Sequence, residues 1–243
     1  MQNIQQYTPW QVFVITLMPQ MYPGPLGESL VGEALKKGVW QLQCVNLRDF
    51  GIGRHQVVDD SPCGGGAGMV LKPEVVDAAI ASVRTACPSA GLVHLTPRGE
   101  RLTQPLLREL IAAPLMLLCG RYEAVDERVL EKYQPREISL GDFVLTGGDI
   151  PAMAIIDGAV RLLPGVIGKE ASLGEESFGA GDYQHLLEYP HYTKPALWEG
   201  RAVPEVLLGG HHAQIEAWRK TQAEAVTRRR RPDLWEEYKK NKP

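Results

Sequence analysis

The stretch Leu115–Pro151, LMLLCGRYEAVDERVLEKYQPREISLGDFVLTGGDIP, contains two glycine-bearing turns that each follow a predicted strand. Its first five residues form an apolar run between Pro114 and Gly120, short enough for a buried parallel strand. The turn that begins at Gly120 therefore comes at the carboxyl end of that strand, where parallel sheets bind ligands. The second turn ends at Ile150-Pro151, where proline can open a helix. Two such turns so close together predict a backbone shaped for close approach to a ligand.

The alternation of strands and helices around this stretch predicts an α/β fold. Strands are expected at residues 12–15, 40–46, 92–95 and 115–119, with a brief strand at Ile138. Helices are expected at residues 26–37, 73–85, 103–112, 126–133 and 153–163. This order is typical of a parallel sheet with helices on both faces.

The character of the chain changes after Gly165. From there to about Gly181 glycines interleave with acidic residues and apolar periodicity is lost, as in interdomain linkers. A small helical region follows, with an amphipathic helix around Trp218. We expect an α/β domain over residues 1–168, a linker over 169–185 and a helical domain over 186–243.

The composition is that of an ordinary globular protein, with 44% hydrophobic and 23% charged residues. The net charge of −3 excludes binding of nucleic acid through overall charge, so any RNA contact must come from a local basic patch. Arg228–Arg231, near Trp218 and Trp235, suits contacts with RNA phosphates. A solvated charge run is the other interpretation.

Cysteine and histidine usage gives no sign of a metal site. The four cysteines, Cys44, Cys63, Cys87 and Cys119, form no C-x-x-C pair, which predicts buried reduced thiols. The histidines lack further ligands nearby, so we expect no structural metal.

Residues 1–9 lack the basic start of a signal peptide, and no apolar run is long enough to span a bilayer. We expect a cytoplasmic protein.

The polar loop Arg48–Gly68 is long enough to be functional. It contains five residues, Gly64-Gly65-Gly66-Ala67-Gly68, that suggest a phosphate-binding loop. The loop has no G-x-x-x-x-G-K-[ST], and Met69 stands where the last glycine of G-x-G-x-x-G would be. Nucleotide-phosphate binding of either kind is therefore disfavoured, and a flexible surface loop is the simpler alternative.

Several motifs resemble, in order, those of the bacterial tRNA (guanine-37-N1)-methyltransferase family. They are Val58-Asp59-Asp60 with Gly64–Met69, Cys119–Glu123 with Asp126–Arg128, Gly141–Asp142 through Gly147–Ala152, and Pro190–Pro195. That family belongs to the SPOUT class, whose chain forms a deep trefoil knot around S-adenosylmethionine. The resemblance implies methyl transfer to N1 of guanosine-37 in the anticodon stem-loop of tRNA. It also implies a homodimer with its active site at the subunit interface, and Mg²⁺ in the reaction.

Methylation at N1 of guanine requires removal of the N1 proton and stabilisation of negative charge on O6. A carboxylate can remove the proton, and an arginine or a backbone N–H can stabilise the charge on O6. The resemblance assigns the first role to Glu176, where the family usually has aspartate before Ser-Phe, and the second to Arg161. Without the resemblance, Glu176 is a solvated linker carboxylate, and Arg161 is a helix-terminal arginine favoured by the helix dipole.

The resemblance places the cofactor against three turns, whose backbone groups would read the adenine. Glu123 would take the ribose or the methionyl amino group. The expected cofactor residues are Leu95, Thr96, Pro97, Gly120, Arg121, Tyr122, Glu123, Leu140, Gly141, Asp142, Phe143, Val144, Leu145, Gly147, Gly148 and Pro151. The expected RNA contacts are Arg54, His55, Glu188, His191, Arg228, Arg229, Arg230 and Arg231.

The sequence departs from the family pattern in three places. Ala124 stands where glycine is expected, Glu176 replaces aspartate, and residues 179–184 hold an insertion of about four residues, which costs little chain entropy in a linker. Two other functions stay open. One is a tRNA ribose 2′-O-methyltransferase, which needs no carboxylate at the base edge. The other is a non-catalytic RNA-binding or adenosine-sensing module.

Overall fold

The computed structural model describes residues 8–168 and 172–241. The chain divides into two compact units, Met1–Ile167 and Gly168–Pro243. The three-part division expected from the sequence, with a separate linker over 169–185, stays a prediction. Within the described residues, no helix combines the length and the apolar character needed to cross a membrane.

The first unit is built on a five-stranded sheet in the order β2-β1-β6-β5-β8, and its strand pairings are parallel. The strands are β1 (Trp10–Thr16), β2 (Trp40–Asn46), β5 (Gly91–Arg101), β6 (Leu115–Leu118) and β8 (Arg136–Ser139). The helices are α1 (Ser29–Lys36), α2 (Pro73–Ala86), α3 (Gln104–Leu110), α4 (Glu127–Tyr133) and α5 (Asp149–Val160). The predicted α/β class with a parallel sheet is confirmed. The trefoil knot implied by the resemblance stays a prediction.

Strand β6 separates two hydrophobic cores. Leu115 and Leu117 pack into one core with residues of α1, α3 and α5. Met116 and Leu118 pack into the other with residues of α2 and α4. Because neighbouring side chains of a strand point to opposite faces, an apolar residue is needed at every position of this strand. The prediction of helices on both faces of the sheet is therefore confirmed. The apolar run at 115–118 is unbroken because both faces of the strand are buried.

Three predicted elements differ more than the others from their bounds in the structure. Residues Gly24–Gly27 form a 3-10 helix and α1 begins only at Ser29, whose φ of +53° interrupts the predicted 26–37 helix. Strand β5 continues beyond its predicted end at Leu95 as far as Arg101, with a register irregularity between Leu95 and Glu100. Helix α5 begins at Asp149 instead of Met153, because the N-terminal end of a helix favours a carboxylate and tolerates Pro151.

A second, smaller sheet connects the glycine-rich loop to the first turn of the 115–151 stretch. It contains β3 (Asp59–Asp60), β4 (Val70–Leu71) and β7 (Ala124–Val125), with β4 in the middle. The Glu123 amide donates to the Met69 carbonyl at 3.0 Å. Gly68 has φ +83°, and a side chain there would overlap the Glu123 side chain. The end of the loop that precedes β4 is therefore fixed against this turn.

The cysteine prediction is correct for two of the four residues. Cys87 and Cys119 are buried free thiols. Cys44 is half-buried and Cys63 is exposed. Cys63 lies in a turn closed by a hydrogen bond from the Gly65 amide to the Pro62 carbonyl, and surface turns leave side chains in water.

The second unit is mainly helical, with α6 (Ser172–Glu175), α7 (His212–Arg230) and α8 (Pro232–Asn241). Between them lies a short hairpin of β9 (Leu197–Trp198) and β10 (Arg201–Ala202). Its small core contains Leu186, Tyr189, Ala223 and Tyr238. The expected helical region at the C-terminal end of the chain is confirmed.

Removal of one central side chain tests how tightly the two-faced sheet is packed. Leu118 is fully buried, and we expect Leu118→Ala to lower the free energy of unfolding by about 3 kcal/mol, because it leaves a cavity. Leu30 is 51% exposed, so the matched Leu30→Ala should stay within about 0.5 kcal/mol of the wild type. Urea unfolding of the full chain measures both. Equal losses in the two variants would contradict the described core.

Candidate active site

A cavity of about 400 Å³ lies at the carboxyl ends of strands β5, β6 and β8. Residues 94–98 lie in β5 where its pairing with β8 becomes irregular, residues 120–125 follow β6, and residues 138–140 are at the end of β8; residues 143–148 with Pro151 complete the wall. The carboxyl ends of parallel strands are the usual place for a ligand in an α/β sheet. The cavity also has the size typical of small-molecule sites.

The cavity brings together nearly all the expected cofactor residues from three separate parts of the chain. Lining it are Leu95, Thr96, Pro97, Gly120, Arg121, Tyr122, Glu123, Leu140, Phe143, Val144, Leu145, Gly147, Gly148 and Pro151. Gly141 and Asp142 are not among the lining residues. Asp142 is exposed and pairs with Arg101 at 2.8 Å. That these residues bind a cofactor stays a prediction.

The two glycine turns pack backbone against backbone. The Gly148 amide donates to the Gly120 carbonyl at 2.9 Å. A Cβ atom on Gly148 would lie 2.7 Å from the Cys119 Cα, and one on Gly147 would lie 2.6 Å from the Arg121 Nε. The approach to the Cys119 backbone excludes any side chain at Gly148, and a side chain at Gly147 would displace Arg121 from its place beside Asp149.

A buried carboxylate fastens the same two turns together. Asp149, the first residue of α5, is 1% exposed. Its Oδ2 accepts from both Arg121 Nε at 3.0 Å and Arg121 Nη2 at 2.7 Å, two charge-assisted hydrogen bonds to one oxygen. Its Oδ1 accepts from Thr16 Oγ1 at 2.5 Å and from the Tyr22 hydroxyl at 3.3 Å. The buried charge is therefore fully paired, as a buried charge must be.

The Tyr22 hydroxyl remains a donor in this network. Burial raises its pKa above the ordinary value, and the neighbouring Cys119 and Asp149 raise it further. Burial likewise raises the pKa of the Cys119 thiol. Both groups are therefore neutral near pH 7, and Asp149 and Arg121 carry the charges of this cluster.

His94 lines the cavity and was not predicted. Its ring is 5% exposed and its Nδ1 lies 3.2 Å from Glu137 Oε1. Arg98 contacts the same carboxylate oxygen at 3.3 Å. Because an ionised carboxylate only accepts, Nδ1 carries the proton of the neutral ring and Nε2 is an acceptor. Nε2 lies on the Gly120 side, 3.7 Å from where a Cβ of that glycine would be.

Other lining residues were also not among the predicted site residues, for example Arg98, Ile138, Ser139 and Thr146. These residues could have been predicted from their positions, because they are neighbours in sequence of the predicted cofactor residues.

A second cavity of about 420 Å³ shares Arg121, Tyr122, Glu123 and Thr146 with the first and adds Leu17, Met18, Gly68 and Met69. The first turn therefore forms a wall between two neighbouring cavities.

The two expected catalytic residues lie in different units of the chain. Arg161 is the C-cap residue of α5 in the first unit and is half-buried. Glu176 directly follows α6 in the second unit and is also half-buried. Among the described residues, no group of three or more His, Cys, Asp and Glu side chains is arranged to hold a metal ion.

The expected RNA contacts are mostly on the surface. Arg54 and His55 are exposed in a turn closed by the Ile52–Val57 backbone hydrogen bonds. His191 is exposed and its Nε2 lies 2.9 Å from Glu188 Oε1. Arg228, Arg229 and Arg230 are exposed in the last turn of α7. Arg231 is half-buried and pairs with Asp233, whose pKa it lowers to about 2.

The fold is that of an α/β protein with a parallel sheet, and it has a cavity of the size typical of small-molecule sites at the strand ends. The family model described as "tRNA (Guanine-1)-methyltransferase TrmD" matches residues 10–237. The chain belongs to this tRNA (guanine-1)-methyltransferase family.

Curated relatives agree with this assignment, and each carries the name tRNA (guanine-N(1)-)-methyltransferase. The relative from Ruegeria pomeroyi is 55% identical over 235 residues, which cover 96% of this chain and 95% of the relative. The relative from Rhodospirillum rubrum is 57% identical, with 93% and 92% covered. The relative from Brucella melitensis is 54% identical, with 94% and 92% covered.

Neutralising the buried carboxylate should loosen the cavity. We expect Asp149→Asn to lower the free energy of unfolding by about 3 kcal/mol, since it leaves Arg121 without its charged partner. The affinity for S-adenosylmethionine, measured by calorimetry, should fall as well. Glu33→Gln, on an exposed carboxylate 3.5 Å from Lys37, is the control and should stay within about 0.5 kcal/mol. Unchanged cofactor affinity in Asp149→Asn would show that the pair does not shape the cavity.

Titration of His94 should make stability depend on pH. Burial lowers its pKa below the ordinary value of 6.5, and the opposing effect of Glu137 is smaller. Between the folded and unfolded pKa values the unfolded chain binds more protons, so stability falls as pH falls through that window. We expect His94→Gln to remove this part of the slope, measured by urea unfolding at pH values on both sides of 6.5. Parallel pH curves for variant and wild type would contradict the burial effect.

Proposed function

We propose that this protein transfers the methyl group of S-adenosylmethionine to N1 of guanosine-37 in tRNA, with Glu176 as general base and Arg161 as the partner of O6. Family membership makes the chain an enzyme that methylates N1 of guanine in tRNA. S-adenosylmethionine is the methyl donor of such an enzyme. The observation that carries the proposal is the cavity at the strand ends, which gathers the expected cofactor residues from three turns.

The cavity walls fit the chemistry of S-adenosylmethionine. Backbone groups of the turns at 95–97, 120–123 and 140–145 can meet the edge of an adenine ring, and apolar side chains such as Leu95 and Ile138 can cover its faces. Glu123 supplies a carboxylate for a ribose hydroxyl or an ammonium group. When bound, the cofactor supplies an electrophilic methyl group.

The remaining chemistry concerns the guanine. Glu176 takes the N1 proton as the nitrogen attacks, and the guanidinium of Arg161 stabilises negative charge on O6. Holding N1 in line with the methyl group supplies a large further part of the rate. The second cavity, which shares the Arg121–Glu123 wall, offers room for a second substrate beside the cofactor.

Homodimer formation is supported by apolar side chains in the second turn and at the start of α5. Phe143 is 54%, Val144 84% and Ile150 52% exposed. Contiguous exposed apolar residues of this kind mark interaction surfaces. In the proposed dimer, one subunit provides the cofactor cavity and Arg161, and the other provides Glu176 and the helical unit.

Contacts with tRNA are proposed for the surface residues of both units. Arg228, Arg229 and Arg230 place three exposed positive charges around the last turn of α7, where they can meet the phosphates of a stem. Arg54, His55, Glu188, His191 and Arg231 are proposed for flanking contacts. We place the reaction in the cytoplasm, and propose that Mg²⁺ takes part transiently at the acidic segment that contains Glu176.

The function is tested with labelled S-adenosylmethionine and two tRNA transcripts, one with guanosine and one with adenosine at position 37. We expect label on N1 of the first transcript alone. Label on a ribose would support 2′-O-methylation. No label with the cofactor still bound would support a non-catalytic module.

The base is tested in the same assay with Glu176→Gln. Turnover should fall by at least about a hundredfold, since general base catalysis contributes that much, while cofactor affinity stays unchanged. Glu216→Gln, on an exposed residue of α7, is the control and should keep wild-type turnover. Equal activity of both variants would exclude Glu176 as the base.

A further inference from the structure

The segment that contains Glu176 is folded back on itself inside the second unit. The Gly179 amide donates to the Glu176 carbonyl at 2.9 Å, and the Phe178 amide donates to the Leu186 carbonyl at 3.1 Å. Phe178 has φ +61°, and a side chain on Gly179 would overlap the Gly174 carbonyl. The conformation of the backbone that follows Glu176 is therefore fixed by hydrogen bonds and close packing.

Helix α7 anchors both ends of this segment. Glu175 accepts from Tyr189 at 3.1 Å and from Arg219 at 3.3 Å. The Leu187 amide donates to the Thr227 hydroxyl at 2.8 Å, and Leu186 is fully buried. The carboxylate next to Glu176 and the end of the segment are thus both fixed to α7.

The insertion at residues 179–184 lies between Glu175 and Leu187, the two points of contact with α7, and it also contacts α7 itself. Its residues Gly181–Tyr183 form a 3-10 turn. Lys220 Nζ donates to the Asp182 Oδ2 at 3.0 Å and to the Asp182 carbonyl at 3.1 Å. The same ammonium lies 5.0 Å from the centre of the Tyr183 ring and 5.3 Å from that of Tyr238.

These contacts make Lys220 more than a surface charge. Its side chain is only 25% exposed, while that of Asp182 is 82% exposed. The salt bridge alone adds little to stability, since one partner is in water. Lys220 makes two hydrogen bonds to Asp182, one to its carbonyl and one to its carboxylate, and it lies near two aromatic rings. Together these contacts fix the orientation of the inserted turn against α7.

We infer that Lys220 is a positioning residue, which holds the inserted turn against α7 and thereby sets the place of Glu176 for proton removal. The inference rests on the proposed function of Glu176. It also gives a role to the insertion, the place where this chain departs from the length its family resemblance implies. Lys220 itself contacts no reacting atom.

The test compares Lys220→Gln with the wild type in single-turnover methylation of the guanosine-37 transcript. We expect the rate constant to fall about tenfold, because small misplacement of a catalytic group is costly. The affinities for tRNA and S-adenosylmethionine and the melting temperature should stay close to wild type. Lys220→Arg keeps a cation above the rings and should restore most of the rate. Lys239→Gln, which removes an exposed charge paired with Glu236 at 2.8 Å, is the matched control.

A double-mutant cycle with Glu176→Gln separates the inference from the proposed function. If Lys220 acts through Glu176, Lys220→Gln causes no further loss in the Glu176→Gln background. An equal loss in both backgrounds, or lost tRNA binding in Lys220→Gln, would overturn the inference. An inactive Glu176→Gln beside a fully active Lys220→Gln would overturn the inference and leave the base in place. A fully active Glu176→Gln would overturn both.

Discussion

The buried carboxylate of Asp149 is the interaction on which the cavity of the first unit depends. It joins the first turn, through Arg121, to the start of α5 and to the end of β1, through Thr16. Removing such a charge from water is costly, and only complete pairing offsets the cost. The four hydrogen bonds from Arg121, Thr16 and Tyr22 supply that pairing, so the two turns have one arrangement in which the buried charge is satisfied.

The walls of the cavity follow from this constraint. The turns meet through the hydrogen bond from the Gly148 amide to the Gly120 carbonyl, and residues of both turns line the cavity at the strand ends. A cavity lined by fixed backbone groups suits a planar, hydrogen-bonding ligand such as adenine. His94 adds a neutral ring whose Nε2 accepts, and Glu123 adds a carboxylate. The proposed cofactor site therefore owes its shape to the packing of the two turns.

In the second unit, hydrogen bonds between distant residues hold the segment that contains Glu176. This unit holds Glu176, the proposed general base, on a segment that has only a one-turn helix of its own. Contacts from α7 replace the missing secondary structure, with Arg219 at one end, Thr227 at the other and Lys220 at the inserted turn. Local sequence gives no sign of these contacts, since their partners are distant along the chain.

The sequence by itself determined the parallel α/β class, the central strand at Leu115–Leu118 and the turns that line the cavity, because these depend on local apolar patterns and glycine positions. It also determined the family, through motifs in their order. Only the tertiary structure decided that α5 starts at Asp149, that His94 lines the cavity, that Cys63 is exposed and that Lys220 anchors the insertion. His94, Asp149 and Lys220 depend on partners far away in sequence, whose pairing no local pattern encodes, whereas the exposure of Cys63 depends on the surface turn that contains it.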